Sequence, residues 1–313
     1  MDTTNAPQII QHHSESLGLT PYDVKWIPGS ARFCLLGQTP RMEGHLEIYQ
    51  LGEEKLKSLH KFTYGKGFKS GTFGACPVGE GKIAIAEMSG EMLIYDIEAQ
   101  KTIYKVKAHD KMVNFIDGCG GMDIGYGAPE ILTGGRDGCV RLWDPRQTAI
   151  VLSLEPEKQD DGLVPDCWAV GFGNSYNNSE RVIAAGYDNG DVKLFDLKQN
   201  SLIWDTNLKN GVCGLEFDRK DIKMNKLSVT TLEGKVHCYD LRTFHLEAGY
   251  AGLVENTGKA TIWGARHLPQ NRDIFTVMGG DGMMSLYKYH YPTQRQIKDA
   301  DDKPKGVAGW IEK

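Results

Sequence analysis

Few side chains in this sequence have the type and spacing to do chemistry. His109 and Asp137 are the pair that most resembles a base and its orienting carboxylate. No GxSxG elbow accompanies them to supply a nucleophile, and no GxxxxGK[ST] loop is present to cradle phosphates. The glycine run Gly118-Cys119-Gly120-Gly121, continued by Gly125-Tyr126-Gly127, misses GxGxxG because Asp123 fills the third glycine's place. No strand-to-helix context surrounds it, so it reads as a loop. His12-His13 stands alone near the terminus, without Cys or His partners at zinc spacing, and reads as a surface or edge-strand pair. Asp160-Asp161 and Asp301-Asp302 lie in polar stretches and read as solvated charge. The seven cysteines, Cys34, Cys76, Cys119, Cys139, Cys167, Cys213 and Cys238, never form CxxC. Several sit in apolar runs, as reduced thiols packed in the core of a cytoplasmic protein would. Asn177-Asn178-Ser179 fits a glycosylation sequon, but no secretory signal gives it a context. No catalytic, cofactor or metal site is expected.

The bulk numbers narrow the classes further. A net charge of −5 and a pI near 6.0 lack the basic footprint of a nucleic-acid binder. No apolar run approaches the roughly 18 residues of a membrane-spanning helix. Glycine, at 37 of 313 residues, exceeds ordinary usage of about 7%, which points to many tight turns between short strands.

Those turns repeat. A glycine turn, an alternating apolar strand and an aromatic residue recur as Gly90-Glu91-Met92-Leu93-Ile94-Tyr95-Asp96 and as Asp137-Gly138-Cys139-Val140-Arg141-Leu142-Trp143-Asp144. Further copies run Asn189 to Asp196 and Gly234 to Asp240, with weaker ones at Gly44 to Tyr49 and Asp281 to Tyr287. The aromatics at 49, 95, 143, 195, 239 and 287 are 46, 48, 52, 44 and 48 residues apart. Blades of about 40–45 residues have this period. Asp-Gly and Asn-Gly supply the positive φ of a two-residue hairpin, and period-two alternation gives a strand with one buried row. With an apolar run before every turn, the sequence predicts six hairpins of an all-β propeller.

The third copy is the fullest, with Ala108-His109 upstream, Thr133 in the preceding strand, Asp137 in the turn and Trp143 after it. It resembles the WD40 repeat, and the resemblance implies that His109, Thr133, Asp137 and Trp143 form a buried structural tetrad rather than a catalytic group. Longer stretches narrow the likeness: Lys209 to Ile222, Arg266 to Arg272, Ala185 to Gly190 and Gly125 to Ile131. These resemble the Monad family of WD-repeat dynein axonemal assembly factors, over about residues 7 to 309. The resemblance implies a cytoplasmic, non-enzymatic scaffold, an adaptor of an R2TP-like co-chaperone complex in preassembly of axonemal dynein. Its implied partners are a TPR-containing adaptor, AAA+ ATPases, prefoldin-like subunits and axonemal dynein heavy chains.

The family pattern is seven-bladed, its last blade completed by an N-terminal strand, here Gln8-Ile9-Ile10-Gln11. Only six hairpins are recognisable. The expected division is therefore a flexible tail at 1–7, a propeller at 8–292 and a polar C-terminal segment at 293–313, with Thr293 to Lys305 as loop or tail. Residues 8–11 would pair with the sixth blade and close the ring, the ring would stay open, or the chain is truncated. In the WD40 register, Tyr22, Lys69, Asn114, Trp168, Cys213 and Trp263 fall one per blade at the channel mouth, as candidate protein-binding residues. The acidic loop Glu155 to Asp161 is expected on the same face. Two rival readings remain. The aromatics could cage a methylated histone tail, or the channel could house a hydrolase, for which no convergent titratable set is visible.

Overall fold

The computed structural model describes residues 10–53, 55–77, 79–120, 127–156, 162–245, 247–299 and 303–313. Its elements are strands, as the alternating patterns require, and they gather into six four-stranded antiparallel sheets and one small hairpin. Sheet one holds β1 (Thr20–Trp26), β2 (Arg32–Gln38), β3 (Gly44–Gln50) and β4 (Lys57–Tyr64). Sheet two holds β5 (Phe68–Thr72), β6 (Lys82–Glu87), β7 (Glu91–Asp96) and β8 (Lys101–Lys107). Sheet three holds β9 (Val113–Cys119), β10 (Glu130–Gly135), β11 (Val140–Trp143) and β12 (Ile150–Leu154). Sheet four holds β13 (Cys167–Gly173), β14 (Val182–Tyr187), β15 (Asp191–Asp196) and β16 (Ser201–Asn207). Sheet five holds β17 (Val212–Phe217), β18 (Lys226–Thr231), β19 (Lys235–His245) and β20 (Gly249–Asn256). In sheet six, β21 (Ile262–Leu268), β22 (Asn271–Gly279) and β23 (Met284–His290) are completed by β26 (Trp310–Glu312). The hairpin pairs β24 (Gln296–Lys298) with β25 (Pro304–Gly306).

The turn glycines do what the sequence asks of them. Gly90, Gly138, Gly190, Gly234 and Gly282 all have φ between 70° and 94°, which a side-chain-bearing residue adopts only with strain. Each sheet buries a face against the next. Cys34, Leu36, Leu46 and Ile48 of sheet one meet Phe68, Ile83, Ile85 and Leu93 of sheet two, and similar clusters join the later sheets. The first strands pack in turn, β1 on β5, β5 on β9, β9 on β13, β13 on β17 and β17 on β21. No comparable packing joins β21 to β1 among the described residues.

The two end sheets keep an open face. On sheet one, Val24 and Trp26 are 51% and 57% exposed, on the side opposite Cys34 and Leu36. On sheet six, the register puts Ile274, Met278, Met284, Leu286 and Trp310 opposite the buried Phe275, Val277, Tyr287 and Tyr289. Closure by residues 8–11, one of the three outcomes the sequence leaves open, falls partly outside the described residues. Gln8 and Ile9, with the tail at 1–7, lie outside the described residues; Ile10 and Gln11 are exposed and carry no strand. The fourth place in sheet six is taken instead by β26, from the segment expected to be polar tail, and β24 and β25 occupy the stretch expected as loop.

Candidate functional site

Six positions repeat around the ring with one geometry. Near the start of each first strand, the pairing register to the second strand skips one residue. Pro21 pairs with Gly37 and Asp23 with Leu36, so Tyr22 is left out. By the same shift Lys69, Asn114, Trp168, Cys213 and Trp263 are the unpaired residues of β5, β9, β13, β17 and β21. A bulge frees one residue from the ladder and re-aims its side chain. The structure thus places all six candidate residues in equivalent bulges at the channel end where the first strands begin.

Their environments differ. Trp263 is 59% exposed and Tyr22 38%, whereas Trp168, Cys213 and Lys69 are half-buried. The Lys69 ammonium lies 4.6 Å from the Tyr22 ring centroid, a cation–π contact within one wall of the mouth. Burial pulls this lysine below its usual range, with Asp23 opposing. Asn114 is buried, and its Nδ2 donates to the Cys167 carbonyl at 2.9 Å, tying sheet three to sheet four. Apolar side chains ring the same end: Met42, Leu163, Leu232 and Met283, each in a loop or turn and 36% to 65% exposed. Of the acidic loop, Glu155 and Pro156 are described; residues 157–161 lie outside the described residues, as do Gly121 to Tyr126, Asp301 and Asp302.

The tetrad is assembled inside sheet three. Trp143 Nε1 donates to Thr133 Oγ1 at 3.0 Å, Thr133 Oγ1 meets His109 Nε2 at 2.8 Å, and His109 Nδ1 meets Asp137 Oδ1 at 2.8 Å. The Cys139 and Asp110 amides also donate to this carboxylate, each at 3.2 Å. Burial opposes ionisation of Asp137, but His109 and the amides outweigh it and hold the carboxyl at about 2. An ionised Asp137 only accepts, so Nδ1 carries the ring proton and Nε2 takes the threonine hydroxyl's. Thr133 and His109 are at most 1% exposed, so this Thr–His–Asp order never meets a substrate.

Two polar constellations had no signature in the sequence. Between sheets five and six, Glu216 Oε2 accepts from the His267 backbone amide at 2.7 Å and meets its Nδ1 at 3.0 Å. Ser228 Oγ stands 3.5 Å from His267 Nε2, completing a Ser–His–Glu order, but Ser228 is 1% exposed and its contact is long. Beside it, buried Lys226 lies 3.5 Å from Asp218 and 3.0 Å from Asp273 and also donates to Tyr291. Arg295 joins this group through Asn225 at 2.9 Å and Asp240 at 3.3 Å. A lysine so deep in a protein is stable only when its charge is matched. The cluster fastens the C-terminal segment and sheet six to sheet five. A cleft of about 220 Å³ between sheets two and three is floored by Ala84, Ile94 and Ile131. Among the described residues no group of three His, Cys, Asp or Glu side chains could hold a metal, and no helix is long and apolar enough to cross a membrane.

Six four-stranded sheets packed through their first strands, with an inner ring of bulged residues and a His–Thr–Asp–Trp tetrad, define a β-propeller of the WD40 type. A chain of the mitotic checkpoint complex crystal structure shares this fold at a TM-score of 0.69 and 12% identity, covering 91% of this chain and 82% of that one. No family model matches the sequence. It is 51% identical to dynein axonemal assembly factor 10 of Chlamydomonas reinhardtii, over 100% of this chain and 87% of that protein. The human and bovine proteins of that name are 48% and 49% identical, each over 99% of this chain and 87% of their own length. The chain belongs to the dynein axonemal assembly factor 10 family.

Proposed function

We propose that this protein is a non-enzymatic scaffold in the assembly of axonemal dynein, and that it holds its partners at the mouth of the channel. The observation that carries the reading is the ring of bulged residues, with Trp263 and Tyr22 open to solvent amid exposed Met42, Leu163, Leu232 and Met283. Large amphipathic rings in an apolar surround are what binding hot spots are made of. The family's name supplies the process. An adaptor role in the cytoplasm beside a TPR protein, AAA+ ATPases and prefoldin-like subunits, with dynein heavy chains as clients, fits that surface.

A methyl-peptide reader needs several aromatic faces within about 6 Å of one cation. Here Tyr22, Trp168 and Trp263 sit on β1, β13 and β21, with β5 and β9, then β17, packed between them, and the protein's own Lys69 covers the Tyr22 face. The scaffold reading is therefore preferred. Affinity purification from ciliated cells, with and without Trp168→Ala and Trp263→Ala, tests it. Recovery of dynein heavy chains with AAA+ ATPases, lost in a variant of unchanged circular dichroism, supports the proposal. Histones in their place, or partners indifferent to both tryptophans, would overturn it.

A further inference from the structure

In a chain of net charge −5, the stretch from Lys55 to Gly79 holds five lysines and neither Asp nor Glu. The fold places four of these lysines on or beside an outer edge, whereas Lys69 lies on β5 at the channel mouth. Outer strand β4 presents Lys57 and Lys61, and outer strand β8 of the neighbouring sheet presents Lys101, Lys105 and Lys107, all exposed. The two strands touch, because Lys105 of β8 donates to the Tyr64 hydroxyl of β4. Lys55 and Lys66 flank β4 at its two ends and are exposed as well.

Only part of this charge is answered locally. Lys61 pairs with Glu47 at 3.1 Å and Lys105 with Glu91 at 3.0 Å. Lys55, Lys57, Lys66, Lys101 and Lys107 have no carboxylate within ion-pair distance among the described residues. Lysine on an outer strand is a common guard against edge-to-edge aggregation. That explanation predicts lysine on every such strand. Yet β12 reads IVLSL, β16 SLIWDTN and β20 GYAGLVEN, none with a lysine. The charge is specific to sheets one and two.

We infer that the outer edge of these two sheets binds an acidic, extended polypeptide segment of a partner. Three features favour a polypeptide over other polyanions. The outward edges of β4 and β8 have no strand paired to them among the described residues, so their backbone groups can accept an added strand. Each strand also offers an exposed apolar side chain at a bulge, Leu59 at 41% and Ile103 at 44%, for alternate side chains of that segment. Finally, the basic residues here are all lysines, without the arginine forks that grip phosphates bidentately. This surface lies on the outer rim, apart from the channel mouth, and does not depend on what binds there.

Fluorescence anisotropy tests the inference with a labelled twelve-residue peptide alternating glutamate with leucine or threonine. The charge-reversed variant Lys57→Glu/Lys101→Glu/Lys107→Glu is expected to bind at least tenfold more weakly. A charge-matched control, Lys198→Glu/Lys259→Glu/Lys288→Glu, is expected to stay within twofold of the unaltered chain. All six positions are exposed, and circular dichroism is the check that both variants fold. Raising salt from about 50 to 200 mM is expected to weaken binding severalfold, as screening of exposed charge requires. Equal losses in the two variants would show only a response to net charge and overturn the inference. Tighter binding of single-stranded DNA or of phosphatidylserine vesicles than of the peptide would overturn the assignment to a polypeptide.

Discussion

Replacing Asp137 with Asn tests whether the tetrad acts as one unit. The carboxylate accepts from His109 at 2.8 Å and from two amides at 3.2 Å, and Arg141 Nη1 stands 3.5 Å away. Hydrogen bonds to a charged group are worth about 1.5–3 kcal/mol each. Asparagine keeps one acceptor but turns an NH₂ toward donors, so a loss of about 3 kcal/mol is expected after allowing for partial solvent exposure. For 313 residues, an unfolding entropy of about 2.1 cal/mol/K per residue turns that loss into a fall of about 5 °C in Tm. Differential scanning calorimetry reads the shift, and a double-mutant cycle with Trp143→Phe reads the coupling. Because the folded pKa of Asp137 is lowered, its contribution is present above the ordinary carboxylate value of 3.8 and disappears as pH falls toward about 2. The variant should therefore lose its deficit relative to the parent near pH 2. A Tm change under about 1 °C at neutral pH, or additive losses in the cycle, would refute the reasoning.

Other consequences are open to direct measurement. Burial, aided by Lys235, lowers His237 from 6.5 to about 4, so the folded state resists protonation that the unfolded chain accepts. Stability should be full above pH 6.5 and fall by about 2 kcal/mol toward pH 4, by urea titration, and His237→Gln should flatten that slope. Lys226→Met leaves the buried Asp218 side chain only the more distant Arg272 guanidinium, at 4.0 Å, and should lower stability by about 3 kcal/mol, as equilibrium unfolding would show. Of the seven thiols, only Cys76 and Cys213 are more than marginally accessible, and burial raises both. A disulfide reagent at pH 8 should titrate at most two slowly in the native state and all seven in denaturant, and rapid reaction of five or more would contradict the packing.

The sequence shows much of this arrangement because a propeller repeats its local rules. Asp137-Gly138 and Asn189-Gly190 announce their turns through backbone geometry alone, and the period-two rows that follow name the buried face. The six mouth positions follow from the WD40 resemblance, whose register carried from blade to blade names them, while the bulge that frees each one is seen only in the structure. Exposure at those positions was not legible. Asn114 is of a polar type that reads as a surface residue, yet its amide is spent on the Cys167 carbonyl. The Lys226 cluster left no trace because Tyr291 lies 65 residues away and Arg295 comes from a segment without apolar alternation. Nor does Trp310-Ile311-Glu312 declare itself as a strand, being too short for a period and paired only by the edge that β23 offers.

That no packing comparable to the other first-strand contacts joins β21 to β1 among the described residues has a thermodynamic consequence. A closed ring has no first or last member, so every sheet is held from both sides. An arc is instead a linear stack in which each sheet touches only its neighbours, and cooperativity passes along it from one interface to the next. Sheets three and four lose two interfaces when they open, whereas sheets one and six lose one each. Local opening should therefore begin at the ends and spread inward, leaving the tetrad of sheet three in the most persistent part of the molecule.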